Sequence, residues 1–216
     1  MEKNRTRLPS LGIHTWTEES LDHLAADILE HSARPLILVD GAAGSGKTTL
    51  AQKLASALDA NLVHTDDVSW NADPIRWDGE MLTGIVTPWK NGTSVAYKPD
   101  GWKKEKRPGY IEADADRPLI IEGMGACRKT LRAAAAYSIW VDTEPETARA
   151  RVVARDLANG ENGGTAESVT EFADWWDSLL NPLFLEEEPW NYVDVIVSGS
   201  LSDVTAGKLM LHVPCF

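Results

Sequence analysis

Apolar residues in this chain fall into short blocks of two alternating kinds. Residues 36–39, 61–64, 118–122, 137–142 and 193–197 are compact, mostly apolar runs, as expected of strands buried on both faces. Between them the apolar spacing is helical: over 15–32 (Leu21, Leu24, Ile28, Leu29), 48–58, 129–136 and 146–156. A last helix opens near Ser168 and carries Phe172, Trp175, Trp176, Leu179 and Leu180 on its apolar side. Thr15 with Glu18, and Ser168 with Glu171, stand at the spacing of capping boxes. Strands alternating with helices predict an α/β fold, a parallel five-stranded sheet with helices on both faces. Ligands of such sheets bind at the carboxyl ends of the strands. The loops after Val39, His64, Glu122 and Asp142 should therefore share one rim.

The loop after the first of these strands carries the most specific chemistry. Residues 41–50 read GAAGSGKTTL and match G-x-x-x-x-G-K-(S/T) without substitution, with a strand before and a helix after. Gly41, Gly44 and Gly46 let the backbone curl into an anion nest, to which Ala42, Ala43, Ser45 and Thr49 add their N–H groups. The helix that starts there turns its unsatisfied N–H groups and its dipole toward the same anion. Lys47 supplies a mobile charge to β and γ phosphates, and the Thr48 hydroxyl is a ligand for Mg²⁺. A phosphate-binding loop NTPase fold that binds ATP and Mg²⁺ follows.

From 68 to 110 the periodicity gives way to tryptophans, prolines, glycines and a basic cluster (Lys103, Lys104, Lys106, Arg107), with one short helix expected over 79–86. Long irregular segments in compact domains are usually functional, so 68–110 is read as an acceptor-binding insertion. The glycine-rich turn at 159–165 follows Arg149, Arg151 and Arg155, and 149–165 is read as a lid over the phosphates. Arginines at these intervals are also what a solvated helix face looks like, and the basic cluster reads as a solvated loop. Residues 1–216 form one domain by length.

Composition narrows the partners. The net charge of −12 is spread along the chain, which excludes a broad basic footprint for nucleic acid and leaves phosphate binding to local groups. Two cysteines, Cys127 and Cys215, lie far apart and suit a reducing compartment. With no leader-like or membrane-spanning run, a cytoplasmic protein is expected, without membrane partners and with room for a homo-oligomer. Of nine tryptophans, Trp70, Trp77, Trp89 and Trp102 cluster in the insertion, either as packing or, with Tyr97, as an aromatic acceptor pocket.

Two carboxylates complete the expected site. Asp66, just past the second strand with Asp67 beside it, is placed to orient an acceptor hydroxyl and take its proton late, although aspartate there also suits an Asx turn. Glu122 ends an apolar strand, where an acid is costly unless it meets a cation such as Mg²⁺ or a nearby arginine. His64 reads as the end of its strand.

Four stretches, GAAGSGKTTL, HTDD, PLIIEG and RARVVARD, together resemble the uridine kinase group of nucleoside kinases, which also takes in nicotinamide riboside kinase. The resemblance runs from about residue 35 to 198. It implies Asp66 as catalytic base, Glu122 with Gly123 assisting Mg²⁺, and Arg151 and Arg155 on the phosphates. The chain departs from that family after the acidic pair, where Val68 and Ser69 precede Trp70, and at 97–102, where YKPDGW stands. The expectation is ATP-dependent phosphoryl transfer to a small molecule, with a nucleoside first among acceptors and Asp67, Trp70, Trp77, Tyr97 and Trp102 around it. A non-nucleoside alcohol is the alternative. A nucleotide switch without acceptor is less consistent, since the third strand ends EGMG where a GTPase carries D-x-x-G, and no N-K-x-D is present.

Overall fold

The computed structural model describes residues 8–199 and 207–214. Cys215 and residues 200–206, after the last predicted strand, lie outside the described residues. In chain order the strands are β1 (Thr17–Ser20), β2 (Leu36–Gly41), β3 (Asn61–His64), β4 (Val95–Tyr97), β5 (Ile111–Ala113), β6 (Leu119–Glu122), β7 (Tyr137–Asp142), β8 (Val195–Ser198) and β9 (Lys208–His212). The longer helices are α1 (Leu21–His31), α2 (Lys47–Leu58), α8 (Pro145–Asn159) and α9 (Ala166–Glu187). The short ones are α3 (Thr65–Ser69), α4 (Asp78–Met81), α5 (Thr87–Lys90), α6 (Asp100–Lys104) and α7 (Lys129–Arg132).

The five predicted strands form the parallel part of the main sheet in the order β3-β6-β2-β7-β8, and β9 and β1 extend it antiparallel beyond β8. The sheet thus has seven strands among the described residues. Every residue of β2 is buried, because both faces are covered. Ile37 and Val39 point to α1 and α2, where they meet Leu24, Ile28, Leu50 and Leu54. Leu36 and Leu38, one residue out of phase, point to the other face, where Ile121, Trp140, Leu180 and Phe184 form the second core. Truncating a fully buried member such as Leu38 or Ile121 to alanine would cost about 2–5 kcal/mol. No described helix is long and apolar enough to cross a membrane.

Several local expectations are corrected. Thr17–Ser20 is strand, and α1 is capped by Ser20, whose Oγ accepts from the His23 N–H at 3.1 Å; Thr15 and Glu18 make no box. The box of α9 is formed by Thr165 and Ser168, three residues earlier than Ser168 with Glu171. The helix expected over 129–136 stops at Arg132. The one expected over 79–86 is longer: α4, a π-helical stretch (Leu82–Val86) and α5 run on continuously.

The tryptophans of the insertion are mostly pillars. Trp77, Trp89 and Trp102 are buried in the second core. The Trp89 indole N–H donates to the Arg117 carbonyl at 3.0 Å and that of Trp102 to the Asp67 carbonyl at 2.7 Å. Cations cover their faces: Arg34 over Trp89, Arg107 over Trp102 and Arg128 over Trp77. Their areas are spent fixing the insertion to the domain.

Candidate active site

The phosphate loop joins β2 to α2, and its shape depends on two glycines. Gly46 caps α2 in a left-handed conformation (φ 101°) and offers no side-chain cap, so the first-turn N–H groups of the helix stay directed at the loop. Gly44 (φ 77°) lies so close to α8 that a Cβ would run into the Ala148 carbonyl oxygen. The Ser45 N–H donates to the Ala42 carbonyl at 3.1 Å, closing the turn, and Lys47 Nζ reaches the same oxygen at 3.4 Å. The fully buried Ser45 hydroxyl has no hydrogen-bond partner and fills the space where a Cβ at Gly41 would stand. Above it, the glycine backbone and the open N–H groups at the start of α2 suit the oxygens of a polyphosphate.

Three elements bring polar side chains to the head of the loop: β6 with Glu122, β3 with His64 and α3 with Asp66. Glu122, at the end of β6, is buried, and Thr48 Oγ1 donates toward both of its oxygens at 3.2 Å. His64, at the end of β3, contacts Glu122 Oε1 at 2.5 Å, and that bond raises the imidazole pKa above its ordinary value. No group of three or more His, Cys, Asp or Glu side chains forms a metal cage among the described residues. The hydroxyl of Thr48 and the carboxylate of Glu122 are the hard oxygen ligands that could share Mg²⁺ with phosphate and water.

Asp66 lies in the first turn of α3 and opens onto the cleft. Its side chain is exposed to that space, yet protein surrounds it on most sides. Desolvation raises its pKa, partly offset by Lys47 and reinforced by Glu122. Asp67 faces away: Arg107 donates to its Oδ1 at 3.2 Å while the guanidinium covers Trp102 at 3.7 Å. Arg107, read as part of a solvated cluster, is thus built into the insertion.

The cleft itself has a volume of about 1400 Å³ and runs from the phosphate loop past Asp66 to α9. Of the expected acceptor residues only Trp70 lines it. Trp77 and Trp102 are in the core. Tyr97 turns away to donate to Glu80 Oε1 at 2.9 Å, its ring against Gly84. Of the lid arginines, Arg149 and Arg155 line the cleft, Arg155 beside Asp156. Arg151 instead braces the loop, donating to the carbonyls of Gly199 at 2.9 Å and Gly44 at 3.4 Å. Arg149 bridges α8 to Asp174 and Asp177 of α9 at 2.6 and 3.1 Å.

Three features escaped the reading of the sequence. Asp40, inside the β2 run, is fully buried and accepts from the N–H groups of Gly41, Gly125 and Cys127 at 2.7, 3.0 and 2.8 Å. It ties the phosphate loop to the turn after β6, and burial pushes its pKa up to about 6. Asp142 lines the cleft with a carboxyl also pushed up to about 6, by burial and then by Glu144. Phe172 and Trp175, assigned to the apolar side of α9, are exposed and line the cleft; the buried side is Val169, Ala173, Leu180, Asn181 and Phe184. The EFADWWD run at 171–177, aromatic and acidic together, was the available signal.

No protein-family model matches the chain. It is 29% identical over 143 residues to a bifunctional pantoate ligase/cytidylate kinase of Gloeobacter violaceus, covering 62% of this chain. The chain spans about a quarter of the length of that curated relative (25%). Among solved structures it is similar to a provisionally named fructose transport system kinase from Silicibacter sp. TM1040, with a TM-score of 0.50, 22% identity, and coverage of 76% of this chain and 95% of that one. A provisionally named uridine kinase from Bacillus stearothermophilus gives a TM-score of 0.48 at 20% identity, covering 82% and 96%. The chain has the α/β fold of the phosphate-loop kinases.

Proposed function

We propose that the protein is an ATP- and Mg²⁺-dependent kinase that moves the γ-phosphoryl group of ATP to a hydroxyl of a small molecule. A nucleoside is the first candidate and another alcohol the alternative. The observation that carries this reading is the meeting of Lys47, the Thr48–Glu122 pair and Asp66 at one end of a cleft much larger than a triphosphate needs. A switch protein has no use for the remaining volume.

In this reading the loop N–H groups hold the β-phosphate, and Lys47 reaches the β and γ oxygens. Thr48 and Glu122 would hold Mg²⁺, whose charge offsets that on the phosphate oxygens. Asp66 accepts a hydrogen bond from the acceptor hydroxyl and aligns its oxygen with the γ-phosphorus. That oxygen forms the new P–O bond as the bond to the β–γ bridging oxygen breaks; the hydroxyl proton passes to Asp66, and ADP leaves with the electron pair. The desolvation that raises the Asp66 pKa makes it a better proton acceptor than a free aspartate. Arg155, at the cleft wall, is the candidate to neutralise charge during transfer.

The test is ADP formation with Mg²⁺ against a panel of nucleosides and other alcohols, read against the rate with no acceptor. Stimulation by one compound class, lost in Asp66→Asn, supports the reading. An equal, slow rate with every compound refutes it.

A further inference from the structure

His64 ends β3 beside a buried carboxylate at the head of the phosphate loop. In the parallel register of β3 and β6 it is the direct partner of Glu122, and both residues stand at the carboxyl ends of their strands. Paired residues of neighbouring strands project from the same face, so the backbone itself sets the ring against the carboxylate. His64 Nδ1 meets Glu122 Oε1 at 2.5 Å. A carboxylate only accepts, so the hydrogen of this bond sits on Nδ1.

The bond from Thr48 fixes Glu122 less firmly. One hydroxyl hydrogen is shared between two oxygens, each at 3.2 Å, which is long for an O–H donor. Such a contact leaves the carboxylate plane free to turn. A short bond to one oxygen, from a half-buried ring rooted in the adjacent strand, does not. Hydrogen-bond partners of a ligating carboxylate typically contribute about 10–100-fold to metal affinity.

We propose that His64 is a positioning residue for Mg²⁺: its Nδ1–H holds Oε1 of Glu122 and leaves Oε2 and the Thr48 hydroxyl oxygen for the cation. This role rests on the kinase reading above, which gives Mg²⁺ to Thr48 and Glu122. It requires the donor at Nδ1, not a charge on the ring. The test is calorimetric titration of the full chain with the β,γ-imido analogue of ATP, once in excess Mg²⁺ and once in EDTA. The ratio of the two affinities is the tightening that Mg²⁺ confers. His64→Ala should lower that ratio about 10-fold and leave the affinity in EDTA as in the wild type. His64→Asn carries an amide N–H on Cγ, where Nδ1 stood, and should restore most of the ratio. His64→Gln carries it one atom further out and should behave as the alanine variant. Should the alanine variant fail to fold, the contrast between asparagine and glutamine carries the same test. A merely structural role would weaken the analogue in EDTA as well and would not separate asparagine from glutamine. That pattern, or an unchanged or higher ratio in His64→Ala, overturns the role of His64. The kinase reading stands in those cases if Mg²⁺ tightens the analogue on the wild type. If the wild type binds no analogue, or binds it equally with and without Mg²⁺, that reading falls and the role of His64 with it.

Discussion

Replacing Asp40 by asparagine separates the charge of the carboxylate that ties the phosphate loop to the turn after β6 from its hydrogen bonds. Burial raises the carboxyl from 3.8 to about 6, against the pull of three backbone N–H groups and Lys47. A carboxyl with a higher pKa in the folded chain binds more protons when folded. Its contribution to stability is full at low pH and is lost as pH rises through the folded value. Between about pH 5.3 and about pH 7.5 the loss is about 1 kcal/mol, taking 3.8 for the unfolded chain. Asparagine does not titrate, so its stability relative to the wild type should rise by about 1 kcal/mol over that interval. A constant cost lies beneath this change. Asp40 accepts through both oxygens, and an amide has only one, so at least one of the Gly41, Gly125 and Cys127 N–H groups loses its partner, at about 1–3 kcal/mol. Urea denaturation of both proteins at the two pH values measures the two effects. A difference in stability that is the same at both, or moves the other way, refutes the raised carboxyl at Asp40.

Other outcomes follow from the same geometry. Because Asp66 must be ionised to accept a proton and desolvation raises its pKa, kcat/KM should fall on the acid side at a pH above that of an ordinary aspartate. Asp66→Asn should remove turnover and that limb of the profile; a rate that persists removes Asp66 as the base. Glu122→Gln keeps the shape but loses the charge beside Thr48, and should lower the rate about 10–100-fold while raising the Mg²⁺ needed for half-maximal activity. An unchanged Mg²⁺ dependence would contradict it. Gly44→Ala adds a side chain against the Ala148 carbonyl in a left-handed backbone that costs about 1–2 kcal/mol. It should weaken a fluorescent ATP analogue by about 10-fold or more, and undiminished affinity would show that the loop can shift away from α8.

The phosphate loop was legible because its chemistry resides in the backbone, and glycine spacing reports backbone shape directly. Glu122 was legible for a related reason, since an acid at the end of an apolar strand stands out. Asp40 did not, although it also interrupts an apolar run, because its partners at Gly125 and Cys127 come from a loop 85 residues away. The tryptophans illustrate a second limit. Composition shows that Trp77 and Trp102 cluster but not which way they face, and the direction came from Asp67, Arg107 and Arg128, distant in sequence. On α9 the apolar periodicity was partly right: Leu180 is buried and Trp176 and Leu179 pack on the core, but Phe172 and Trp175 are exposed while Ala173 and Asn181 are buried, a distinction a hydrophobicity pattern cannot carry. The β1–β9 pair joins two ends of the chain, and the sequence TEES has no apolar alternation to announce a strand.

The central claim is that phosphate leaves ATP for an alcohol held in the cleft. It is tested by incubating the protein with Mg²⁺, ATP labelled in its γ-phosphoryl group, and an acceptor panel of nucleosides and other alcohols, and finding the label by mass spectrometry. Label is expected in a phosphomonoester of one acceptor class, in step with ADP and absent from Asp66→Asn. Label found only in inorganic phosphate, at a rate no acceptor changes, would contradict it.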